Sequence, residues 1–138
     1  MSATVLVVDD NATNLKLVSE LLRFEDYAIL KAVDAEDAQV VLAGTLPDLI
    51  LMDIALPGMD GLTLTRRLKA DPRTRHIRIV ALTAYAMKGD EQKAIDAGCD
   101  GYITKPLDTR KFPAQVEGLL GKPEPQPVRS ASPAKVDR

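Results

Sequence analysis

Short apolar runs alternate along the chain with longer stretches in which apolar residues recur at helical spacing. The first run, Thr4-Val5-Leu6-Val7-Val8, is apolar on both faces, as a strand sandwiched between helices must be. It stops at Asp9-Asp10-Asn11, after which Leu15, Val18 and Leu22 form one stripe with Leu17 and Leu21 beside it, the pattern of an amphipathic helix. Ala28 to Ala32 reads as a second strand, less apolar and therefore nearer an edge. Asp34 stands where an N-cap belongs, before a helix that carries Ala38, Val41 and Leu42 and ends at Gly44. Leu49-Ile50-Leu51-Met52 predicts a third strand that delivers Asp53 at its carboxyl end, followed by the turn-rich loop Leu56 to Gly61. Leu64 and Leu68 mark a helix that should stop before Pro72, and Ile77 to Thr83 supplies a fourth strand. A helix from about Lys88 to Ala97 closes on Gly98 in the position of a left-handed cap. Gly101 to Thr104 is a short fifth strand, and the last helix, with Pro113 in its first turn, buries Val116, Leu119 and Leu120.

Strands alternating with helices at this spacing predict a parallel α/β sheet with right-handed crossovers and helices on both faces. That topology sets the carboxyl ends of all strands along one edge, where ligands bind in such folds.

The length of 138 residues is one domain's worth, expected over residues 1–120. From Gly121 to Arg138 the chain holds four prolines and no apolar periodicity, so it is expected to be a disordered tail, with no room for an output domain. The tail carries +2 and the part before it −4, for a total of −2. That balance creates no general field for nucleic acid. Cys99 is alone, which excludes an intramolecular disulfide and a cysteine zinc cluster. No apolar run approaches the ~20 residues of a membrane span and no signal peptide opens the chain, so the expected compartment is the cytoplasm.

The polar residues that interrupt the apolar strands stand where strands end. Asp9 and Asp10 follow the first, Asp53 the third, Thr83 ends the fourth and Lys105 follows the fifth. Three carboxylates at one edge repel unless something neutralises them, and a hard divalent cation with oxygen ligands would do so. Lys105 adds a positive charge and Thr83 a hydroxyl donor. A carboxylate nucleophile, a metal, a cation and a donor together suit phosphoryl transfer, which needs alignment and charge neutralisation more than acid–base work.

The stretches VLVVDDN, DLILMDIALPGMDGL, IVALTAYA and AGCDGYITKP, in this order and at these separations, resemble the receiver domains of bacterial response regulators from Val5 to about Leu120. DDNATNLKL and KPLDTRKFPAQV are most similar to stand-alone receivers and the receivers of hybrid kinases. The resemblance implies the flavodoxin-like (βα)5 fold, a doubly wound five-stranded parallel sheet. It implies Asp53 as the phospho-acceptor, with Mg²⁺ (or Mn²⁺) held by Asp9, Asp10, Asp53 and the backbone carbonyl of Ala55, Asp10 being the more direct of the first two. Thr83 and Lys105 would bind phosphoryl oxygens, Tyr102 would swing inward with Thr83, and Lys105-Pro106 would be a cis peptide. Partners implied are a histidine kinase or histidine phosphotransfer protein as donor, and a downstream protein on the face of the fourth helix, fifth strand and fifth helix. No nucleic acid or membrane partner is implied, and the chain would be a monomer or weak dimer. Ala55 and Tyr85 depart from the commonest polar choices beside the acceptor, which implies slow to moderate self-dephosphorylation; the small Ala84 leaves access for a bulky donor.

Two other functions compete. A Mg²⁺-dependent phosphatase with an aspartyl nucleophile would need an acid two residues beyond Asp53, where Ala55 stands. A phosphate-independent scaffold would have no use for the full set of Asp9, Asp10, Asp53, Thr83 and Lys105. His76, in the charged stretch Arg73-Thr74-Arg75-His76, reads as a solvated loop residue, and Cys99 as a packing or surface residue.

Overall fold

The computed structural model describes residues 3–25, 27–83, 89–105 and 107–120. Five strands and five helices alternate: β1 (Thr4–Val8), α1 (Ala12–Arg23), β2 (Ala28–Ala32), α2 (Ala35–Gly44), β3 (Leu49–Asp53), α3 (Gly61–Ala70), β4 (Arg78–Thr83), α4 (Asp90–Ala97), β5 (Gly101–Thr104) and α5 (Phe112–Leu120). All pairings are parallel, in the order β2-β1-β3-β4-β5. This is the parallel sheet that the alternation predicts, in the doubly wound, flavodoxin-like form that the resemblance implies, and its strand order reverses between β1 and β3.

Composition explains which strands lie inside. Every residue of β3 is buried, as are four of the five in β1, because each has helices on both faces. β2 and β5 lie at the edges and leave residues exposed. Alternate side chains feed two cores. Leu6, Val8, Ile50, Met52, Ile79 and Ala81 pack with Ala38, Leu42, Leu64, Leu68 and Ala94 from α2, α3 and α4. Val5, Val7, Leu49, Leu51, Val80 and Leu82 pack on the other face with Leu15, Val18 and Leu22 of α1 and Phe112 and Val116 of α5.

The helix boundaries have local causes. Asn11, Asp34 and Asp60 each accept a hydrogen bond from the backbone N–H three residues on, at 3.0, 2.7 and 2.8 Å, capping α1, α2 and α3. Gly98, at φ 107°, closes α4 in the left-handed conformation that its position predicts. Leu17, expected beside the apolar stripe, is 41% exposed. It lies well round the helix from the line Leu15, Val18, Leu22, so it flanks the stripe rather than joining it. Ile77 belongs to the turn before β4, its N–H bonded to Thr74 O at 3.0 Å, and α4 begins at Asp90. Lys88, the peptide bond to Pro106, and the segment 121–138 expected to be a tail lie outside the described residues. Among the described residues, no helix is long and apolar enough to cross a membrane.

Cys99 is free and packs in the core with α3 and α4. Burial, chiefly, pushes its thiol above the usual range; a hydrogen bond with Thr65 lowers it by less, and the Asp100 charge raises it and the Lys69 charge lowers it by less again. Folding thus disfavours the thiolate, so the thiol's contribution is neutral below its unfolded pKa, and stability falls as pH rises through that value. Alkylation of Cys99 near pH 8 is expected to run at least about tenfold slower in the folded chain than in denaturant. Equal rates, read by thiol-reagent absorbance, would show that the residue is open to solvent.

Candidate functional site

Main-chain geometry brings Asp9, Asp53 and Lys105 together. Asp9 directly follows β1 and extends its ladder, its N–H bonded to Ala32 O at 3.1 Å. Asp53 is the last residue of β3, and Lys105 directly follows β5, with its N–H on Thr83 O at 2.7 Å. Lys105 Nζ lies 3.2 Å from Asp9 Oδ2 and 3.4 Å from Asp53 Oδ2, so one ammonium bridges two carboxylates at the switch point of the sheet. Asp10 is exposed at the mouth, and carboxylate oxygens of Asp9, Asp10 and Asp53 all lie within 4.8 Å of one another.

The other oxygens of the buried pair are held by the backbone. Asn11 N–H donates to Asp9 Oδ1 at 2.9 Å, and Ala55 N–H donates to Asp53 Oδ1 at 3.0 Å. Asp53 therefore has one oxygen fixed on its own loop and the other turned toward Lys105. Asn11 thus has two roles, capping α1 and orienting Asp9, and sequence reading assigned it neither. The signal was present in the Asx pattern of Asp9 and Asn11, each followed by a bonded N–H.

Asp9 is fully buried, and that burial drives its pKa above the ordinary carboxylate range. The Asn11 N–H and the Lys105 charge pull it down, while the neighbouring Asp53 charge pushes it up. One ammonium among three carboxylates leaves an excess of negative charge and of hard oxygen donors. A hard divalent cation such as Mg²⁺ fits that donor set, with Asp9, Asp10 and Asp53 as the side chains that would hold it.

Thr83 is buried at the end of β4, the strand that pairs with β3, where Asp53 stands in register with Leu82. Tyr102 in β5 is partly buried and packs against the core that includes α3 and α4. Ala55 is exposed and contributes its N–H to Asp53. Ala84 and Tyr85 lie outside the described residues. His76 is exposed far from the site, at the opposite edge of the sheet.

Replacing Lys105 by Met would leave two buried carboxylates without their shared cation. Breaking such a pair is costly, and with the rim partly open to solvent the expected loss is about 2 kcal/mol in a chelating buffer. Millimolar Mg²⁺ should restore more stability to this variant than to the parent, since the cation replaces the missing charge. Denaturant unfolding of both chains with and without Mg²⁺ checks this; no loss in chelator would mean that the ion pairs contribute nothing.

Residues 5–117 match the family described as response regulator receiver domain. The chain belongs to that family, a class of phosphorylation-controlled modules of two-component signalling. Among its relatives is the polar-differentiation response regulator DivK of Brucella ovis, 40% identical over 121 residues, covering 88% of this chain and 98% of DivK. The response regulator PleD of Caulobacter vibrioides is 43% identical over 119 residues, 86% of this chain, yet the chain spans only 26% of PleD. A crystal structure of the receiver domain of sensor histidine kinase PA1611 from Pseudomonas aeruginosa PAO1 superposes with a TM-score of 0.80 at 30% identity. That match covers 88% of this chain and all of the other, which carries a magnesium ion coordinated in its active site cleft.

Proposed function

We propose that this chain accepts a phosphoryl group on Asp53 from a phosphohistidine protein, in a Mg²⁺-dependent reaction, and signals by protein contact. The observation that carries the reading is the bridge of Lys105 between Asp9 and Asp53 beside a third carboxylate, Asp10. The Asp53 carboxylate oxygen that faces Lys105 forms the new bond to phosphorus while the bond from phosphorus to the donor nitrogen breaks, and the histidine ring keeps that electron pair. The Ala55 N–H holds the other oxygen, so the nucleophile is aimed before the donor arrives. Lys105 and the Thr83 hydroxyl then bind phosphoryl oxygens, with the ammonium already beside the acceptor at 3.4 Å. When bound, Mg²⁺ supplies charge neutralisation between the attacking carboxylate and the incoming phosphoryl oxygens.

Thr83 and Tyr102 couple the acceptor to the face formed by α4, β5 and α5, which would carry the signal to its target. Ala55 has only a methyl group to offer an attacking water, in keeping with a phosphoryl group that persists, and no acid there supports an aspartyl phosphatase.

The test is to incubate the chain with Mg²⁺ and a small acyl phosphate and to follow intact mass and peptide mapping. A metal-dependent adduct on the peptide that contains Asp53 is expected. No adduct, even from a histidine-phosphorylated donor protein, would sink the reading in favour of a phosphate-independent scaffold.

A further inference from the structure

We propose that the end of α3 and the turn leading into β4 form a docking surface for an acidic segment of a partner protein, separate from the phospho-acceptor edge. Between Arg66 and Arg78 the chain carries six basic residues and one acidic, a net of +5; with −2 overall, the remaining residues sum to −7. Charge of one sign is thus concentrated in a short piece of an otherwise acidic molecule.

The turn is rigid. Thr74 and Ile77 are buried at 2% and 1% exposure, like two pegs, while Arg73, Arg75, His76 and Arg78 between and beside them are exposed. Thr74 Oγ1 donates to Leu68 O at 2.7 Å, and Asp71 accepts the N–H groups of Arg73, Thr74 and Arg75 through its side chain or carbonyl. The backbone is therefore fixed before any partner arrives, which lowers the ordering cost of binding.

The guanidiniums are aimed but not neutralised. Arg73 Nη2 donates to Leu42 O at the end of α2, and Arg78 Nη1 to Leu119 O at 3.2 Å. Backbone carbonyls hold these two in place while other N–H donors of each fork remain for a carboxylate. Among the described residues, Arg66, Arg67, Arg73, Arg75 and Arg78 form no ion pair; in this region only Lys69 does, with Asp100 at 2.9 Å.

The chemistry favours a short acidic peptide over an extended polyanion. A duplex or an anionic bilayer would meet the patch together with Asp48 and Asp100 at the same edge and the acidic surface beyond. A few carboxylates on a flexible segment engage the forks alone, within about one Debye length of ~8 Å. The position leaves the acceptor free. Arg78 opens β4 in register with Leu49, whereas Asp53 closes β3 four residues on, so the two sites stand at opposite ends of the strands, about 13 Å apart along them.

The experiment measures fluorescence anisotropy of a labelled short peptide of aspartate, glutamate and glycine against the full chain at about 150 mM salt. The double variant Arg67→Gln/Arg75→Gln should weaken binding about five- to tenfold, the scale of two exposed charge contacts. The control Lys16→Gln/Lys31→Gln, at the far side of the molecule on α1 and β2, should stay within about twofold of the parent. An equal loss in the control overturns the proposal, because it would mean attraction by net charge alone. Tighter binding of a DNA duplex or of phosphatidylserine vesicles than of the peptide overturns it too.

Discussion

Asp53→Asn is expected to abolish phosphoryl uptake from an acyl phosphate, by more than about a hundredfold, while the fold persists. The amide matches the carboxylate in shape, and its carbonyl can still accept the Ala55 N–H that holds Asp53 Oδ1 at 3.0 Å. What it lacks is the negative charge and the lone-pair reactivity that make a nucleophile. Stability should change by no more than about 1 kcal/mol, since one ion pair with Lys105 is lost while a repulsive neighbour of buried Asp9 is removed. Intact mass under saturating donor, with thermal unfolding as the control for folding, checks both parts. An adduct that survives in the variant would place the chemistry on another carboxylate, of which Asp10 is the exposed candidate.

That experiment rests on residues that could be read from the chain, and the reason is topological. In a parallel sheet every strand ends on the same side, so a polar residue that closes an apolar run has its position fixed by the run itself. Asp9, Asp53, Thr83 and Lys105 each close or directly follow such a run, and the strands bring them to one edge. β2 was legible as an edge strand for a related reason, since a strand open on one side need not be apolar throughout.

What periodicity could not show is distance across the fold. Phe112 is fully buried as the first residue of α5, four before Val116, yet a helix read with Pro113 in its first turn and its stripe on Val116, Leu119 and Leu120 passes over it. Lys69 looks like a solvated helix residue in sequence. In the fold its Nζ reaches Ile77 O at 2.7 Å, Arg75 O at 3.2 Å and Asp100 Oδ2 at 2.9 Å, joining α3 to the turn before β4 and to the loop before β5. The same Asp100 oxygen accepts the Ile79 N–H at 2.9 Å, so one lysine and one aspartate fix the starts of two strands. Leu17 lies beside the α1 stripe, as its spacing predicts, and stays exposed. It sits with Asn14, Val18, Lys105 and Leu107 around a shallow hollow beside the site, where an exposed leucine breaks no packing rule.

A costly substitution outside the reacting groups is expected at Gly61, where the sequence pattern predicts only a turn. Asp60 caps α3, and Gly61 is the helix's first residue, with its N–H on Ile54 O at 3.3 Å. Its backbone lies directly against the end of β3. A Cβ there would overlap the Asp53 carbonyl oxygen and come within 2.8 Å of Ile54 Cα and 2.9 Å of Met52 Cγ. Two of those obstacles are main chain, so relief requires moving either α3 or the strand that carries Asp53. Overpacking against fixed backbone typically costs about 1–3 kcal/mol, and the lack of a flexible neighbour puts Gly61→Ala at the upper end, about 3 kcal/mol. Because the displaced atoms include the acceptor's own carbonyl, phosphoryl uptake should fall about tenfold or more even where the variant remains folded, since sub-ångström misplacement of a nucleophile is expensive. Denaturant unfolding together with the initial rate of adduct formation at low temperature separates the two effects. Gly58→Ala is the contrasting variant: its Cβ would meet open space but its φ of 70° disfavours alanine, so it should lose about 1 kcal/mol without a comparable fall in rate. If Gly61→Ala were as mild as that, the close approach of α3 to β3 would not be what sets the position of Asp53.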